Sequence, residues 1–296
     1  MKFTVAICTW NRASLLSRVL ERLTHVRQPA GSWEVIVVNN GSTDDTDRVL
    51  DAFAGRLPLR RAFEPRPGLS YARNTAVRDA TGDYVVWTDD DVLVDVNWLS
   101  AYGRAVEQHP EAAIFGGPVR PRFEGTPPSW LSAAWQEIGT AFAARDLGAE
   151  PFELCDGKLP FGANFVVRAH EQKRFLYDPN LGRNRSGGAV GEETSVIREI
   201  LASGGSGWWV PDVSVEHWIP RERQSIRYLR RYYALQGKTF HKWDGGGLTF
   251  WGRPLRLWLK IVRAELSYSR ARLSGDPHRW LKHLIYSSTL RGATRR

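Results

Sequence analysis

Apolar strand patterns alternate with amphipathic helix patterns over residues 3–87, and this alternation limits the chain to very few folds. Strands are predicted at 3–8, 34–38, 59–63 and 84–87, and helices at 11–24, from 43 or 44 to 53, and at 68–80. Strands joined by helices form a mainly parallel sheet that is covered on both faces. Ligands bind such sheets beyond the carboxyl ends of the strands. The sequence therefore predicts an α/β fold with its site at that edge.

The later chain follows a less regular pattern. A loop and a helix are predicted within 125–144, strands at 161–167 and 208–215, and a helix at 195–202. Helical patterns dominate from Arg221 onward and are interrupted by three glycines at 245–247. We predict a catalytic domain at 1–220 and a helical extension at 221–296.

Charge separates these two parts. The net charge of +9 divides into −5 for 1–220 and +14 for 221–296. A basic extension on an acidic body indicates an anionic partner, either lipid or nucleic acid. No nucleic-acid-binding module is recognisable, so nucleic acid is not among the predicted partners.

The extension contains one strongly amphipathic segment at 251–266. Its apolar side chains are Trp251, Leu255, Trp258, Leu259, Val262 and Leu266, with Leu257 and Ile261 widening that face. Basic side chains gather on the opposite side, namely Arg253, Arg256, Lys260 and Arg263. Two interpretations stay open: a helix lying in an anionic lipid interface, or a helix packed on the catalytic domain with its basic side in water.

Other features predict a cytoplasmic location, with the extension as a peripheral membrane contact. The sequence has no run of 18 apolar residues and no secretory signal pattern at its start. Its two cysteines, Cys8 and Cys155, are far apart and are predicted to be buried, reduced thiols.

Three consecutive aspartates, Asp89, Asp90 and Asp91, directly follow the strand at 84–87. Adjacent carboxylates repel one another, and a divalent cation that bridges them to a diphosphate lowers this cost. Asp89 and Asp91 can converge on one metal ion if the strand end bends. The structural alternative is a solvated turn in which Asp91 caps a helix. Its position at the ligand-binding edge favours the metal site.

Polar turns follow the other strands at the same edge. They contain Thr9, Asn11 and Arg12, then Asn39, Asn40, Gly41 and Ser42, with Arg73 and Asn74 on the helix before the aspartates. Guanidinium and amide groups suit a nucleobase, a ribose and a diphosphate. The sequence lacks both GxGxxG and GxxxxGK[ST], so neither a dinucleotide site nor a P-loop is predicted.

A pair of glutamates and one histidine complete the candidate residues. Glu192 and Glu193 open a predicted helix after a glycine-rich loop, where a carboxylate either complements the helix dipole or acts as a general base. His217 follows the strand-like segment 213–215. A lone histidine is more often structural than a metal ligand.

Six motifs in this order resemble the inverting family 2 glycosyltransferases with the GT-A fold, over about residues 3–220. They are TWNR at 9–12, VVNNGSTD at 37–44, GLSYARN at 68–74, ATGDYVVWTDDD at 80–91, FGANFVVR at 161–168 and GEET at 191–194. His217 also matches a histidine that some members use as a metal ligand.

The resemblance implies a role for each motif. Thr9, Arg12, Asn39, Arg73 and Asn74 would contact the nucleotide, together with Asn11, Gly41, Ser42, Asp89 and Asp90. Asp89 and Asp91, with His217, would bind Mn²⁺ or Mg²⁺. Gly162, Ala163 and Asn164 would shape the sugar and acceptor pocket. Glu193 would be the base, with Glu192 as the alternative.

Two residues depart from the family pattern. The family often has Asp at the position of Asn39, where the side chain pairs with the uracil imide, so a uridine donor is less certain here. An Asn oxygen can still accept that hydrogen bond. The base motif is commonly Glu-Asp, whereas here it is Glu192-Glu193.

The implied reaction is a metal-dependent, inverting transfer of a sugar from a UDP-sugar to a hydroxyl of a glycan or lipid-linked acceptor, in polysaccharide or glycoconjugate biosynthesis. Two alternatives remain. A non-catalytic protein could keep the nucleotide-sugar pocket, or the chain could be a sugar-nucleotide pyrophosphorylase. The second lacks support because 5–12 holds no glycine-rich basic loop.

Overall fold

The structure is a computed structural model, and it describes residues 1–182, 191–240, 248–250 and 253–294. The strands are β1 Lys2–Thr9, β2 Ser32–Asn39, β3 Leu59–Phe63, β4 Tyr84–Asp89, β5 Val92–Val94, β6 Ile114–Gly116, β7 Val119–Phe123, β8 Phe152–Glu153, β9 Asn164–Arg168, β10 Gly207–Trp209, β11 Val215–Ile219, β12 Thr249–Phe250 and β13 Arg253–Pro254. The helices are α1 Ala13–Leu23, α2 Thr46–Phe53, α3 Leu69–Asp79, α4 Trp98–Gln108, α5 Ser129–Ala133, α6 Trp135–Ile138, α7 Ala169–Arg174, α8 Glu192–Ala202, α9 Ile226–Phe240, α10 Leu255–Arg272 and α11 Pro277–Ala293, with a 3₁₀ turn at Gly139–Phe142.

The main sheet has eight strands in the order β3-β2-β1-β4-β9-β6-β10-β8. The first four run parallel, whereas β9 is antiparallel to both β4 and β6. Because β1, β2 and β4 are buried on both faces, their sequences are nearly continuous apolar runs. The predicted mixed, mainly parallel α/β sheet is confirmed.

Helices cover both faces of this sheet. On one face α1, α2 and α4 pack on the alternate side chains of β1, Val5 and Ile7 among them. On the other face α3, α7 and α8 pack on Ala6 and its neighbours. The period-2 alternation of each strand thus fills two separate cores. The carboxyl ends of β1, β2 and β4 lie side by side at one edge.

Several predicted elements have different bounds. The strand predicted at 208–215 is two strands, since β10 ends before Pro211, which has no backbone N–H to donate, and β11 joins a small second sheet in the order β5-β11-β7. Helix α2 begins at Thr46 rather than at 43 or 44, because the Asp44 carboxylate accepts hydrogen bonds from the backbone N–H of Ala13 and of Thr46. Helix α4 was not predicted.

A buried carboxylate fixes the opposite edge of the sheet. Glu34 accepts hydrogen bonds from the hydroxyls of Thr4 and Thr81, both at 2.7 Å, and from Arg60 at 3.1 Å. Burial raises the pKa of Glu34, but these hydrogen bonds outweigh it and lower that pKa from 4.5 to about 2. Glu34 is therefore ionised in the folded protein across the physiological range.

The chain forms two compact units, Met1–Arg122 with Ala143–Trp218, and Phe123–Phe142 with Ile219–Arg296. The second unit includes the short segment Phe123–Phe142 in addition to the extension. The division into domains at 1–220 and 221–296 stays a prediction.

In the second unit, α11 is the central helix. Gly237 of α9 lies against the backbone of α11, and Gly292 of α11 against the backbone of α9, so these two helices approach closely. Leu257 and Ile261 of α10 pack on Leu290 of α11. Trp251 and the glycines 245–247 lie outside the described residues.

Two further findings concern the location of the chain. Among the helices described, none combines the length and the apolar character needed to cross a bilayer. Cys8 and Cys155 are both unpaired thiols; Cys8 is partly buried, whereas Cys155 is exposed, contrary to the prediction that both are buried.

Candidate active site

Residues at the carboxyl ends of β1 and β4 form an ionic cluster at this edge. The two strands are neighbours, with Cys8 opposite Asp89, so their carboxyl ends lie side by side. The Thr9 hydroxyl donates to Asp90 at 2.8 Å. Arg12 Nη1 donates to Asp90 Oδ1 at 2.7 Å and to Asp91 Oδ2 at 2.9 Å. Arg12 thus bridges two carboxylates that would otherwise repel each other.

Burial and charge oppose one another in this cluster. Burial raises the pKa of Asp90 to about 6, although Arg12 and the Thr9 hydroxyl lower it. For Arg12, burial lowers the pKa, but Asp90 and Asp91 raise it above its usual value. The guanidinium is therefore a permanent cation held against the aspartates.

His217 joins the cluster through the second sheet. Strand β11 pairs antiparallel with β5 and places His217 opposite Val92. Its Nε2 lies 3.4 Å from Asp91 Oδ2, and both side chains are buried. Asp89 instead lies 3.7 Å from Arg73. The structure thus brings together two of the three predicted metal ligands, Asp91 and His217. Within the described residues, no three His, Cys, Asp or Glu side chains form a group able to hold a metal.

Arg73 is the centre of a second cluster. It lies on α3 and is 3% exposed, with its guanidinium 5.5 Å from the Trp87 ring and 5.2 Å from the Tyr177 ring. Its Nη1 is 3.6 Å from Glu192 and 4.0 Å from Glu193. This nitrogen is buried and has no hydrogen-bond partner among the described residues. Burial lowers the pKa of Arg73, but Glu192 and other nearby groups raise it above its usual value. A buried cation is thus fixed with one N–H-bearing nitrogen unsatisfied.

The two glutamates begin α8 and point into different surroundings. Gly191 precedes them with φ +99°, a left-handed conformation that favours glycine. The Glu192 side chain is 7% exposed and that of Glu193 is 18% exposed. Glu193 faces Gly162, where an added Cβ would stand 3.2 Å from its Cδ and 2.7 Å from Arg73 Nη2. Only a glycine leaves this space between Arg73 and Glu193 open.

The turns after β1 and β2 hold one another in place. Asn11, with φ +52°, accepts a hydrogen bond from the Thr43 backbone through its side chain. The backbone N–H of Asn11 donates to the Ser42 hydroxyl at 3.0 Å. Gly41, with φ +72°, makes the turn between β2 and Ser42. Asn11, Gly41 and Ser42 therefore build the two loops beside the aspartate cluster.

Asn39 ends β2 and has a partner that the sequence analysis did not identify. Its Oδ1 accepts from the Ser42 backbone N–H at 2.8 Å, and its Nδ2 donates to Asp47 Oδ1 at 2.9 Å. Because a backbone N–H can only donate, the atom facing Ser42 is the oxygen and the nitrogen faces Asp47. The sequence did offer a signal for Asp47, because an acidic residue in the first turn of the helix after β2 lies near the end of that strand.

Two predicted contact residues serve the framework. Asn74 pairs with the backbone of Tyr177 through both ends of its amide, at 2.8 and 2.9 Å. Asn164 is fully buried; its Oδ1 accepts from Trp98 and Tyr102, and its Nδ2 donates to two carbonyl oxygens. An amide used in this way has no capacity left for a sugar. Asn164 therefore supports the wall of the pocket, as does the buried Ala163.

Comparisons with known proteins identify relatives of this chain. The chain is 24% identical to the succinoglycan biosynthesis protein ExoM of Rhizobium meliloti over 239 residues, 79% of this chain and 72% of ExoM. It is 30% identical to the glucosyl-dolichyl phosphate glucuronosyltransferase of Haloferax volcanii over 213 residues, 69% of this chain and 65% of that protein.

Its fold is similar to that of the mannosyltransferase PcManGT from Pyrobaculum calidifontis in complex with GDP-Man and Mn²⁺. The TM-score is 0.63 at 19% identity, over 98% of this chain and 85% of PcManGT. The family model for glycosyl transferase family 2 matches residues 4–161, which include both turns and the three aspartates. The chain is thus a glycosyltransferase that belongs to family 2 and has the GT-A fold.

Proposed function

We propose that the protein is an inverting glycosyltransferase that moves a sugar from a UDP-sugar to a hydroxyl of a glycan or lipid-linked acceptor. The observation that carries this proposal is the Arg73 cluster. A buried guanidinium with an unsatisfied Nη1 is costly unless a ligand completes its hydrogen bonds. The diphosphate of a sugar nucleotide supplies acceptor oxygens of the right charge. Arg73 would then stabilise the negative charge that grows on the leaving nucleoside diphosphate.

Glu193 is the proposed base. Of the two glutamates it is the more exposed, and its carboxyl group lies beside Gly162, close to Arg73. In this role it takes the proton from the acceptor hydroxyl, whose oxygen attacks the anomeric carbon from the face opposite the leaving group. The new glycosidic bond forms as the bond to the diphosphate breaks, which inverts the configuration. Glu192, buried against Arg73, would set the position of the cation.

Mn²⁺ or Mg²⁺ is the proposed cofactor. Asp91 and His217 would hold it, since one carboxylate and one imidazole suit Mn²⁺ and their atoms already lie 3.4 Å apart. Two protein ligands leave most of the coordination sphere to diphosphate oxygens and water. Asp89, which lies 3.7 Å from Arg73, would be the third ligand, as the family resemblance implies. The ion would add positive charge where the leaving diphosphate develops negative charge.

Asp47 is the proposed substitute for the family's base-recognising aspartate. Uracil presents a ring N–H, which needs an acceptor. The Asn39 nitrogen cannot provide one, but it holds the carboxylate of Asp47 at the end of β2. Guanine presents the same kind of N–H, whereas cytosine and adenine present a bare ring nitrogen. Asp47 should therefore favour UDP and GDP over CDP and ADP.

The acceptor class rests on the relatives. The ExoM name describes succinoglycan biosynthesis, and the Haloferax enzyme's name describes a glucosyl-dolichyl phosphate. We propose that this chain acts in polysaccharide or glycoconjugate biosynthesis, in the cytoplasm or at the cytoplasmic face of a membrane.

The experiment combines donor turnover with variants on α8. The full chain is incubated with UDP- and GDP-sugars and Mn²⁺, and release of the nucleoside diphosphate is measured. We expect Glu193→Gln to lower kcat roughly 10²-fold or more with little change in donor affinity. Glu199→Gln, on the exposed side of the same helix, is the matched control and should leave kcat unchanged.

Two results would overturn parts of the proposal. If Glu192→Gln is damaging and Glu193→Gln is mild, the base is the preceding residue. If the chain binds donors but releases no nucleoside diphosphate from any of them, either by transfer to an acceptor or by hydrolysis, the non-catalytic alternative is correct.

A further inference from the structure

Helix α10 has two apolar faces, and only one of them is used inside the protein. Leu257, Ile261 and Ala264 are at most 5% exposed and form the face that packs within the second unit. This face packs on α11, within the extension itself. It accounts for only part of the apolar side chains on the helix.

The second face is a stripe of side chains that the described residues leave about half exposed. Leu255, Leu259, Val262 and Leu266 follow one another at spacings of four, three and four, which places them within about 60° of the helix surface. Each is between 41% and 56% exposed. Two more exposed apolar residues adjoin it. Leu248 accepts a backbone hydrogen bond from Leu255, and the ring of Phe250 contacts that of Trp258. We call these six residues the α10 stripe: Leu248, Phe250, Leu255, Leu259, Val262 and Leu266.

Basic residues line one side of the stripe. Arg256, Arg263 and Arg270 recur every seven residues, so they form a row along the helix next to Leu259 and Leu266, and all three are exposed. The one acidic residue of α10, Glu265, lies on the other side, where Arg230 and Arg291 bind it at 2.7 and 3.2 Å. The exposed border of the stripe is therefore cationic.

We propose that the α10 stripe is a docking surface for an anionic membrane. An apolar stripe with a basic border matches a bilayer interface, where acyl chains lie beneath phosphate headgroups. The helix would lie flat, with the four aliphatic side chains of α10 and Phe250 inserted and the three arginines at the headgroups. A second copy of the chain fits less well, because an antiparallel two-fold contact through this face would bring two rows of arginines together. This proposal is independent of the catalytic one.

The test is sedimentation of the full chain with vesicles of phosphatidylglycerol and phosphatidylcholine, and with vesicles of phosphatidylcholine alone. We expect binding to the anionic vesicles, weakened by salt because the arginine contribution is screened. Leu259→Gln, Val262→Gln and Leu266→Gln together should weaken it at least tenfold. These side chains are exposed, so the melting temperature should not fall.

A second pair of variants isolates the charge. Arg263→Glu with Arg270→Glu should release the protein from anionic vesicles. The control is Arg104→Glu with Arg174→Glu, which changes the net charge by the same amount at exposed positions of the first unit. This control variant should stay bound to the anionic vesicles. Equal binding by the wild type and the three-Gln variant, or no binding by the wild type, would overturn the proposal. If the wild type forms a dimer and binds no vesicles, and the three-Gln variant is a monomer, the stripe serves self-association instead.

Discussion

The space at Gly162 gives the most direct test of the proposed site, through the substitution Gly162→Ala. An added Cβ would stand 2.7 Å from Arg73 Nη2 and 3.2 Å from Glu193 Cδ. Normal contact between a methyl carbon and a guanidinium nitrogen is about 3.5 Å, so one group must move by several tenths of an ångström. Arg73 is the less able to move, because its guanidinium lies beside the rings of Trp87 and Tyr177 and near Glu192.

The backbone at residue 162 must therefore shift as well, which disturbs the arrangement of Arg73, Glu193 and the bound sugar around it. Misplacement of a reacting group by about 1 Å can cost roughly 10²-fold in rate, or about 2.7 kcal/mol of transition-state stabilisation. We expect Gly162→Ala to lower kcat by one to two orders of magnitude, measured as nucleoside diphosphate release, with a melting temperature close to that of the wild type.

Gly55→Ala is the matched control. Gly55 lies between α2 and β3, its Cβ would meet no atom within 4 Å, and its φ is not in the left-handed region. It should leave both kcat and stability unchanged. If Gly162→Ala keeps the turnover of the wild type, then the space between Arg73 and Glu193 is not where the reaction occurs.

Three further predictions follow from other contacts. Asp91 and His217 alone are too few ligands for tight metal binding, so Mn²⁺ affinity measured by calorimetry should rise at least tenfold when UDP is present. His217→Ala should remove that increase, and tight Mn²⁺ binding without nucleotide would contradict the prediction. Asp47→Asn should lower the preference for UDP over CDP in a binding assay, while Asn39→Asp should raise it; an unchanged ratio in both would exclude Asp47 from base recognition. Glu34 stabilises the fold above its unfolded pKa of 4.5, and this contribution, about 3 kcal/mol at most, is lost as the pH falls from 4.5 towards 2. The difference in unfolding free energy between wild type and Glu34→Gln should therefore shrink over that range, and a constant difference would refute the assignment.

The sequence was sufficient to predict the parallel part of the fold because its signals are local. The strands at 3–8 and 84–87 are continuous apolar runs, and the residues that follow them meet at one edge as soon as the strands pair in parallel. The pairing of parallel strands was therefore enough to predict that Thr9, Arg12 and the aspartates lie close together.

Contacts between distant segments were beyond the same reasoning. Only 208 and 209 of the strand predicted at 208–215 lie in the main sheet; the next strand begins at Val215 and pairs with β5, and no local pattern specifies that partner. Asn74 and Asn164 have the chemistry of ligand-binding residues, but their amides are satisfied by backbone and side chains far away in sequence. Whether a polar side chain serves a ligand or the framework depends on those long-range neighbours.

The four hydrogen bonds of Asn164 have a consequence for how the site tolerates change. Its Nδ2 binds the carbonyl oxygens of Pro118 and Val213, which stand just before β7 and β11 of the small sheet. His217 follows Val213 by four residues, so the amide of Asn164, at the start of β9, helps to fix the segment that leads to that imidazole. If His217 holds the proposed metal, a change at Asn164, or at the two aromatic residues that donate to it, would alter metal affinity without removing a ligand. A screen for inactive variants should therefore recover positions in this buried network, and they would resemble ligand residues in every assay except a direct structural one.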